Sequence, residues 1–137
     1  NAKMSELQAA MGLTVLPYME MILAERKKVI DYYQGNLDYS RLRALKIREN
    51  TNWNYSYYPI IFESETQLLN VEKVLNEHQI FPRRYFYPSL NTITYTNGEK
   101  MPISDSISER ILCLPLYVGL TAVELDLICN LINENLC

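Results

Sequence analysis

At 137 residues the chain is long enough for one domain that buries roughly two-thirds of the surface its unfolded form exposes, so no disulfide or metal is needed to hold it together. Thirteen Lys and Arg against sixteen Asp and Glu give a net charge of −3, which argues against nucleic acid or an anionic membrane as a partner. Three cysteines, Cys113, Cys129 and Cys137, form no C-x-x-C pair and sit in apolar or helical contexts, and so read as reduced thiols of a cytoplasmic protein.

The opening Asn1-Ala2-Lys3-Met4-Ser5-Glu6-Leu7-Gln8 reads as the middle of a larger protein, with no initiator Met before a helix start. Ser5 and Gln8 have capping-box spacing, in which each side chain satisfies a free backbone N–H of the first turn. A first helix is expected from there to about residue 16. Pro17 can open a second at its first helical position. Tyr18, Met21, Ile22, Val29, Tyr32 and Tyr33 give that second helix one apolar face, and Gly35 offers a C-terminal cap. The polar, Asn-rich run 41–54 reads as a loop or a short edge strand. Residues 57–62 are a buried strand candidate, with Pro59 suited to an edge or a strand start.

Ser64 and Gln67 repeat the capping spacing, and Leu68, Val71, Val74 and Leu75 mark one face of a helix lasting to about residue 78. Residues 80–86 read as a second strand, so that strand, helix and strand suggest a compact βαβ unit. Pro88, Asn97-Gly98 and Pro102 make 87–106 a long loop, of the kind that is usually functional. Residues 111–114 form a third short strand stopped by Pro115. Thr121 and Glu124 give a last capping box, and Leu125, Ile128, Ile132 and Leu136 line the closing helix. The expected fold is α+β, about four helices around a small three-stranded sheet. No run of about 18 apolar residues and no signal-peptide pattern is visible, so no segment is expected to span a membrane. Eleven tyrosines, rings with a polar tip, suit half-buried interfaces and ligand rims as well as a core.

Three segments stand in an order and spacing that carry more than any one of them. They are the Asn1-x-Lys3-Met4-Ser5 opening, Arg83-Arg84-Tyr85-Phe86-Tyr87-Pro88-Ser89-Leu90-Asn91, and Ile111-Leu112-Cys113-Leu114-Pro115-Leu116-Tyr117-Val118-Gly119-Leu120-Thr121. Together they resemble the C-terminal third of a pyridoxal-phosphate-dependent sugar-nucleotide aminotransferase of the DegT/StrS type, nearly end to end. The resemblance implies that 1–137 is a single C-terminal domain, the small domain of fold-type I aminotransferases, and that an upstream cofactor-binding large domain is absent. The lysine to which the cofactor is bound lies before the Asn-x-Lys segment in that family. It is therefore not among these residues, no catalytic residue is assigned, and the chain alone is expected to be inactive.

The resemblance also assigns roles. Asn1 and Lys3 become cofactor-binding residues that reach the phosphate in a neighbouring subunit, which implies a homodimer. A helix N-terminus beside a cation suits such an anion. The loop 83–91 is placed at the substrate edge, where a guanidinium can hold a diphosphate while rings frame a sugar or base. Adjacent strand residues face opposite ways, so only one arginine need face the substrate. Arg84, with Tyr85 and Tyr87 as rim residues, is the favoured set. The competing reading has Phe86 and one Tyr in the core and both arginines at the surface. Many relatives carry Leu-His where this chain has Leu90-Asn91, so no imidazole titrates there. The implied partners are a nucleotide-linked keto-deoxysugar and an amino donor, glutamate.

His78, the one histidine, lies near a helix end where a cation meets the last carbonyls, and no His/Cys/Asp group has metal-ligand spacing. No G-x-S-x-G, P-loop or G-x-G-x-x-G occurs. Two other functions stay open: a sugar dehydratase of the same fold, with histidine in place of the upstream lysine, and a stand-alone binding or dimerisation module.

Overall fold

Three short strands set the frame on which the helices pack. In the computed structural model, which describes residues 3–136, β1 (Arg43–Ala44), β2 (Tyr58–Ile61) and β3 (Ile111–Leu114) form one antiparallel sheet in that order. β2 aligns Tyr58 with Leu114 and Ile61 with Ile111, while β1 reaches only Ile60 and Ile61. Pro59 thus lies past the end of β1, where its missing N–H removes no ladder bond.

The third strand is β1, from the polar run that left a short edge strand open. Residues 80–86 do not form the expected strand. Arg83 alone bridges to Cys113: two residues on, Tyr85 N–H turns back to Arg83 O at 3.2 Å, and Ile80 N–H turns back to Leu75 O. With both partners of β2 antiparallel, the expected βαβ unit is not formed.

Helix α1 (Glu6–Val15) starts as its spacing predicts: Ser5 Oγ accepts from Gln8 N–H at 3.3 Å and Gln8 Oε1 from Ser5 N–H at 2.9 Å. Pro17 does not open the second helix directly. It sits at the start of a 3-10 turn (Leu16–Tyr18) that carries the chain into α2 (Met19–Asn36), giving one helical stretch from Glu6 to Asn36. That stretch is long and apolar enough, by length and composition, to cross a membrane, a finding the count of consecutive apolar residues does not foresee. Its first half buries nothing: Leu7, Met11, Leu13, Leu16 and Met21 are all exposed. Only Val29, Ile30 and Tyr33, near its end, are buried. Gly35 lies inside α2 rather than capping it. The chain leaves in an extended conformation at Leu37, whose side chain is buried and whose N–H bonds Tyr33 O.

Helix α3 (Glu65–Glu77) receives half of the expected box. Ser64 Oγ accepts from Gln67 N–H, but Gln67 Oε1 takes the N–H of Glu63, and its Nε2 donates to Leu136 O at 2.7 Å. Pro102 opens α4 (Pro102–Arg110) inside the segment expected to be loop, with Asp105 Oδ2 accepting from Met101 N–H. Helix α5 (Ala122–Glu134) has the full Thr121–Glu124 box.

The core lies between one sheet face and the buried sides of α2, α3 and α5. Tyr58, Ile60 and Leu112 meet Tyr33, Leu68, Val71, Leu75, Ile128 and Ile132. Burying such a side chain stabilises the fold by about 1.5–3 kcal/mol. Tyr33 stacks on Tyr58 with ring centroids 5.4 Å apart and donates its hydroxyl to Pro115 O, while Tyr39 and Tyr58 hydroxyls pair at 2.6 Å. Cys113 and Cys129 are free and buried, and Cys137 lies outside the described residues.

Candidate functional site

Residues 81–91 acquire their geometry from β3. Arg83 exchanges both backbone hydrogen bonds with Cys113, its N–H to Cys113 O at 3.1 Å and Cys113 N–H to its own O at 2.8 Å. That pair holds the segment extended against the free edge of the sheet, so Arg83 and Arg84 project to opposite sides.

The Arg84 side chain is 15 % exposed and turned into the chain. Its Nη2 donates to Glu65 Oε1 and to Glu109 O, each at 2.8 Å. The guanidinium carbon stands 3.7 Å from the centroid of the Tyr87 ring, a cation–π contact. Arg84 therefore ties together the first turn of α3, the last turn of α4 and the loop. Its Nε is buried without a hydrogen-bond partner. Arg83 is exposed, and among the described residues no ion pair or side-chain hydrogen bond engages its guanidinium.

Tyr85 lines three grooves along this segment: one of about 380 Å³ is formed by Phe81, Pro82, Arg83, Arg84 and Tyr85, and two more flank the loop. One, of about 570 Å³, runs between the loop and α4 past Phe86, Leu90, Met101 and Ile107. The other, of about 300 Å³, is walled by Ser56, Tyr57, Arg83, Pro115 and Tyr117. Tyr57 and Tyr85 meet edge to face with centroids 5.4 Å apart. Phe86 is 72 % exposed and Tyr87 48 %, so neither is core, contrary to the reading that buries Phe86. Asn91, where the resemblance leads to the expectation of His, stitches the loop: its Oδ1 accepts from Ser89 Oγ and its Nδ2 donates to Glu99 O. The backbone of Asn91 also comes so near Gly98 that a Cβ there would lie 2.6 Å from Asn91 Cα.

Of the cofactor residues, Asn1 lies outside the described residues. Lys3 is exposed, two positions before the Ser5 cap of α1. No hydrogen bond or ion pair among the described residues joins it to the loop. An ammonium beside a helix N-terminus fits a phosphate as a contact at the edge of a site. None of the grooves described has Lys3 in its lining.

Burial pushes the Cys113 and Cys129 thiols up, Cys129 to about 11, so neither is a ready nucleophile. His78 Nδ1 bonds Val74 O at 2.9 Å, the helix-end role its position predicts. Among the described residues no group of three His, Cys, Asp or Glu could hold a metal. The pinning of Arg84 is not visible in the sequence, because Glu65 and Glu109 lie 19 and 25 residues away.

The sequence pattern of the DegT/DnrJ/EryC1/StrS aminotransferase family matches residues 1–133. A dTDP-4-amino-4,6-dideoxy-D-glucose transaminase of Shigella dysenteriae is 34% identical over 141 residues, covering 98% of this chain and 38% of that protein. Its namesake in Escherichia coli is 32% identical over 129 residues, covering 88% and 35%. The GDP-perosamine synthase of Vibrio cholerae is 28% identical, covering 98% and 38%. Among solved structures, Spr1654 of Streptococcus pneumoniae in its PLP form superimposes with a TM-score of 0.85 at 25% identity, covering 98% of this chain and 36% of that one. The chain thus spans little more than a third of the length of the relatives it matches.

Proposed function

The chain belongs to the DegT/DnrJ/EryC1/StrS aminotransferase family, and from that membership we propose that it is the C-terminal portion of an enzyme that transfers an amino group, from glutamate, to a keto group of a nucleotide-linked deoxysugar. The observation that carries this is the end-to-end match to sugar-nucleotide transaminases at over 30% identity. Pyridoxal phosphate is the cofactor of the family, and when bound it supplies the electron sink for amino transfer.

What these residues contribute is binding and orientation. Lys3 and the N-terminal end of α1, with Asn1, hold the charge of the cofactor phosphate in the neighbouring subunit of a homodimer. The loop 83–91 forms the rim that receives the substrate. Tyr85 and Tyr87 offer ring faces there, and one of the two arginines offers a cation to the diphosphate. The exposed apolar side of α1 supports this reading, because it is a face to be covered by the rest of the enzyme.

In the full-length enzyme, Lys3→Ala weakens cofactor retention by about 1–3 kcal/mol, the loss of one charged hydrogen-bonded contact. Retention is read from the cofactor absorbance that stays with the protein through gel filtration. Mixed dimers of Lys3→Ala with a subunit lacking the cofactor lysine regain one intact site. Hybrids without any activity, or full retention by Lys3→Ala, contradict the role in trans.

A further inference from the structure

We propose that Arg83, rather than Arg84, is the guanidinium that receives the phosphates of a nucleoside diphosphate, and that the groove of Tyr57, Tyr85 and Tyr117 receives its base. The proposal rests on the reading above that the substrate is a nucleotide sugar.

Arg84 is already spent: Glu65 offsets its charge, Glu109 O takes a second bond, and the Tyr87 ring covers one face of its guanidinium. Turning it outward would break all three contacts and leave Glu65 without its partner. Arg83 has none of these ties, and the double backbone pairing with Cys113 fixes where its side chain starts. A free guanidinium offers two parallel donors to a phosphate, and its charge is offset by no acidic group in contact.

The groove beside it has the size and lining for the remainder. Its volume of about 300 Å³ lies at the lower end of the range for small-molecule sites. Tyr57 and Tyr117 are 56 % and 48 % exposed, which leaves aromatic surface available to a base. Ser56 adds a hydroxyl at the rim. Phosphate-binding cation and base-stacking rings therefore lie within one wall, and Tyr85 connects this groove to the larger one along α4, where the sugar can extend.

The test compares Arg83→Ala, Arg83→Lys, Arg84→Ala and Tyr117→Ala in the full-length protein, using dTDP, inorganic pyrophosphate and thymidine as probes in calorimetric titration. Arg83→Ala is expected to weaken dTDP and pyrophosphate about tenfold or more while leaving thymidine binding and the melting temperature unchanged. Arg83→Lys recovers part of the loss. Tyr117→Ala weakens dTDP and thymidine but not pyrophosphate. Arg84→Ala lowers the melting temperature first. If Arg83→Ala binds dTDP as the wild type does while the wild type aminates a nucleotide sugar, the subsite is wrong and the functional reading stands. Loss of dTDP binding in Arg84→Ala at an unchanged melting temperature, with Arg83→Ala intact, returns the role to Arg84. If the wild type binds neither dTDP nor pyrophosphate and aminates no nucleotide sugar, the functional reading fails and the subsite with it.

Discussion

Removing the Arg84 side chain takes away an ion pair, a bond to a helix-end carbonyl and a ring contact at once. Glu65 is partly exposed, so solvent screens some of the charge. We expect Arg84→Ala to destabilise the fold by about 1–2 kcal/mol in denaturant unfolding, and Arg84→Lys to restore less than half, because a point charge cannot serve Glu65 and Glu109 O together. Cys129 gives a second residue-scale expectation. Burial raises its thiol from an ordinary value near 9.0 to about 11, so the folded state holds a proton that the unfolded state has lost between those limits. Stability from this group is therefore intact below about pH 9 and falls as the pH rises toward 11. Thermal melts of the wild type should show that decline. Cys129→Ala should flatten it, leaving the part due to the buried thiol of Cys113 and the buried phenols Tyr33, Tyr39 and Tyr58, whose ionisation burial also pushes up.

Elements built on local chemistry are the ones readable from sequence. Ser5 with Gln8 and Thr121 with Glu124 form their boxes because donor and acceptor are three residues apart, and Thr121→Ala is expected to cost about 1 kcal/mol in unfolding free energy. Gly98 is a stricter point: an alanine Cβ would strike the Asn91 backbone, so Gly98→Ala should displace the 89–99 loop and lower the melting temperature. Elements decided by distant partners were less legible. Residues 80–86 have the composition of a strand, yet only Arg83 pairs, since Tyr85 N–H turns back to Arg83 O and Pro115, two residues beyond Cys113 on that edge, cannot donate. β1 is only Arg43 and Ala44, within a polar run, and nothing local announces that Ile61 and Ile60 will pair with them. In α4, Pro102 and Asp105 were a readable start, obscured by Asn97-Gly98 and the prolines around it. The arginine pair shows the same limit within the site: alternation says that the two face opposite ways, and only Glu65 and Glu109 decide which one is free.

At the scale of the molecule, the α+β class and the family were legible because three motifs keep their order along the chain, and the helix face at Leu68, Val71 and Leu75 names its own core side. The bare half of the first helical stretch was not, since apolar residues at helical spacing look alike whether they meet a core or open solvent. That stretch has 31 residues, a rod roughly 46 Å long at the helical rise, clamped only near Val29, Ile30 and Tyr33. A rod held at one end works as a ruler with a phase. Each residue added in α1 moves Lys3 about 1.5 Å outward and swings it about 100° around the axis. One alanine inserted between Ala9 and Ala10 should therefore aim Lys3 away from the phosphate it is proposed to meet, and cofactor retention in the full-length enzyme should drop to the level of Lys3→Ala. Four inserted alanines return it to within about 40° of its first bearing, roughly 6 Å farther out, and should restore part of that retention. Equal loss from both insertions would mean that distance governs this contact; loss from neither, that the contact does not depend on the helix.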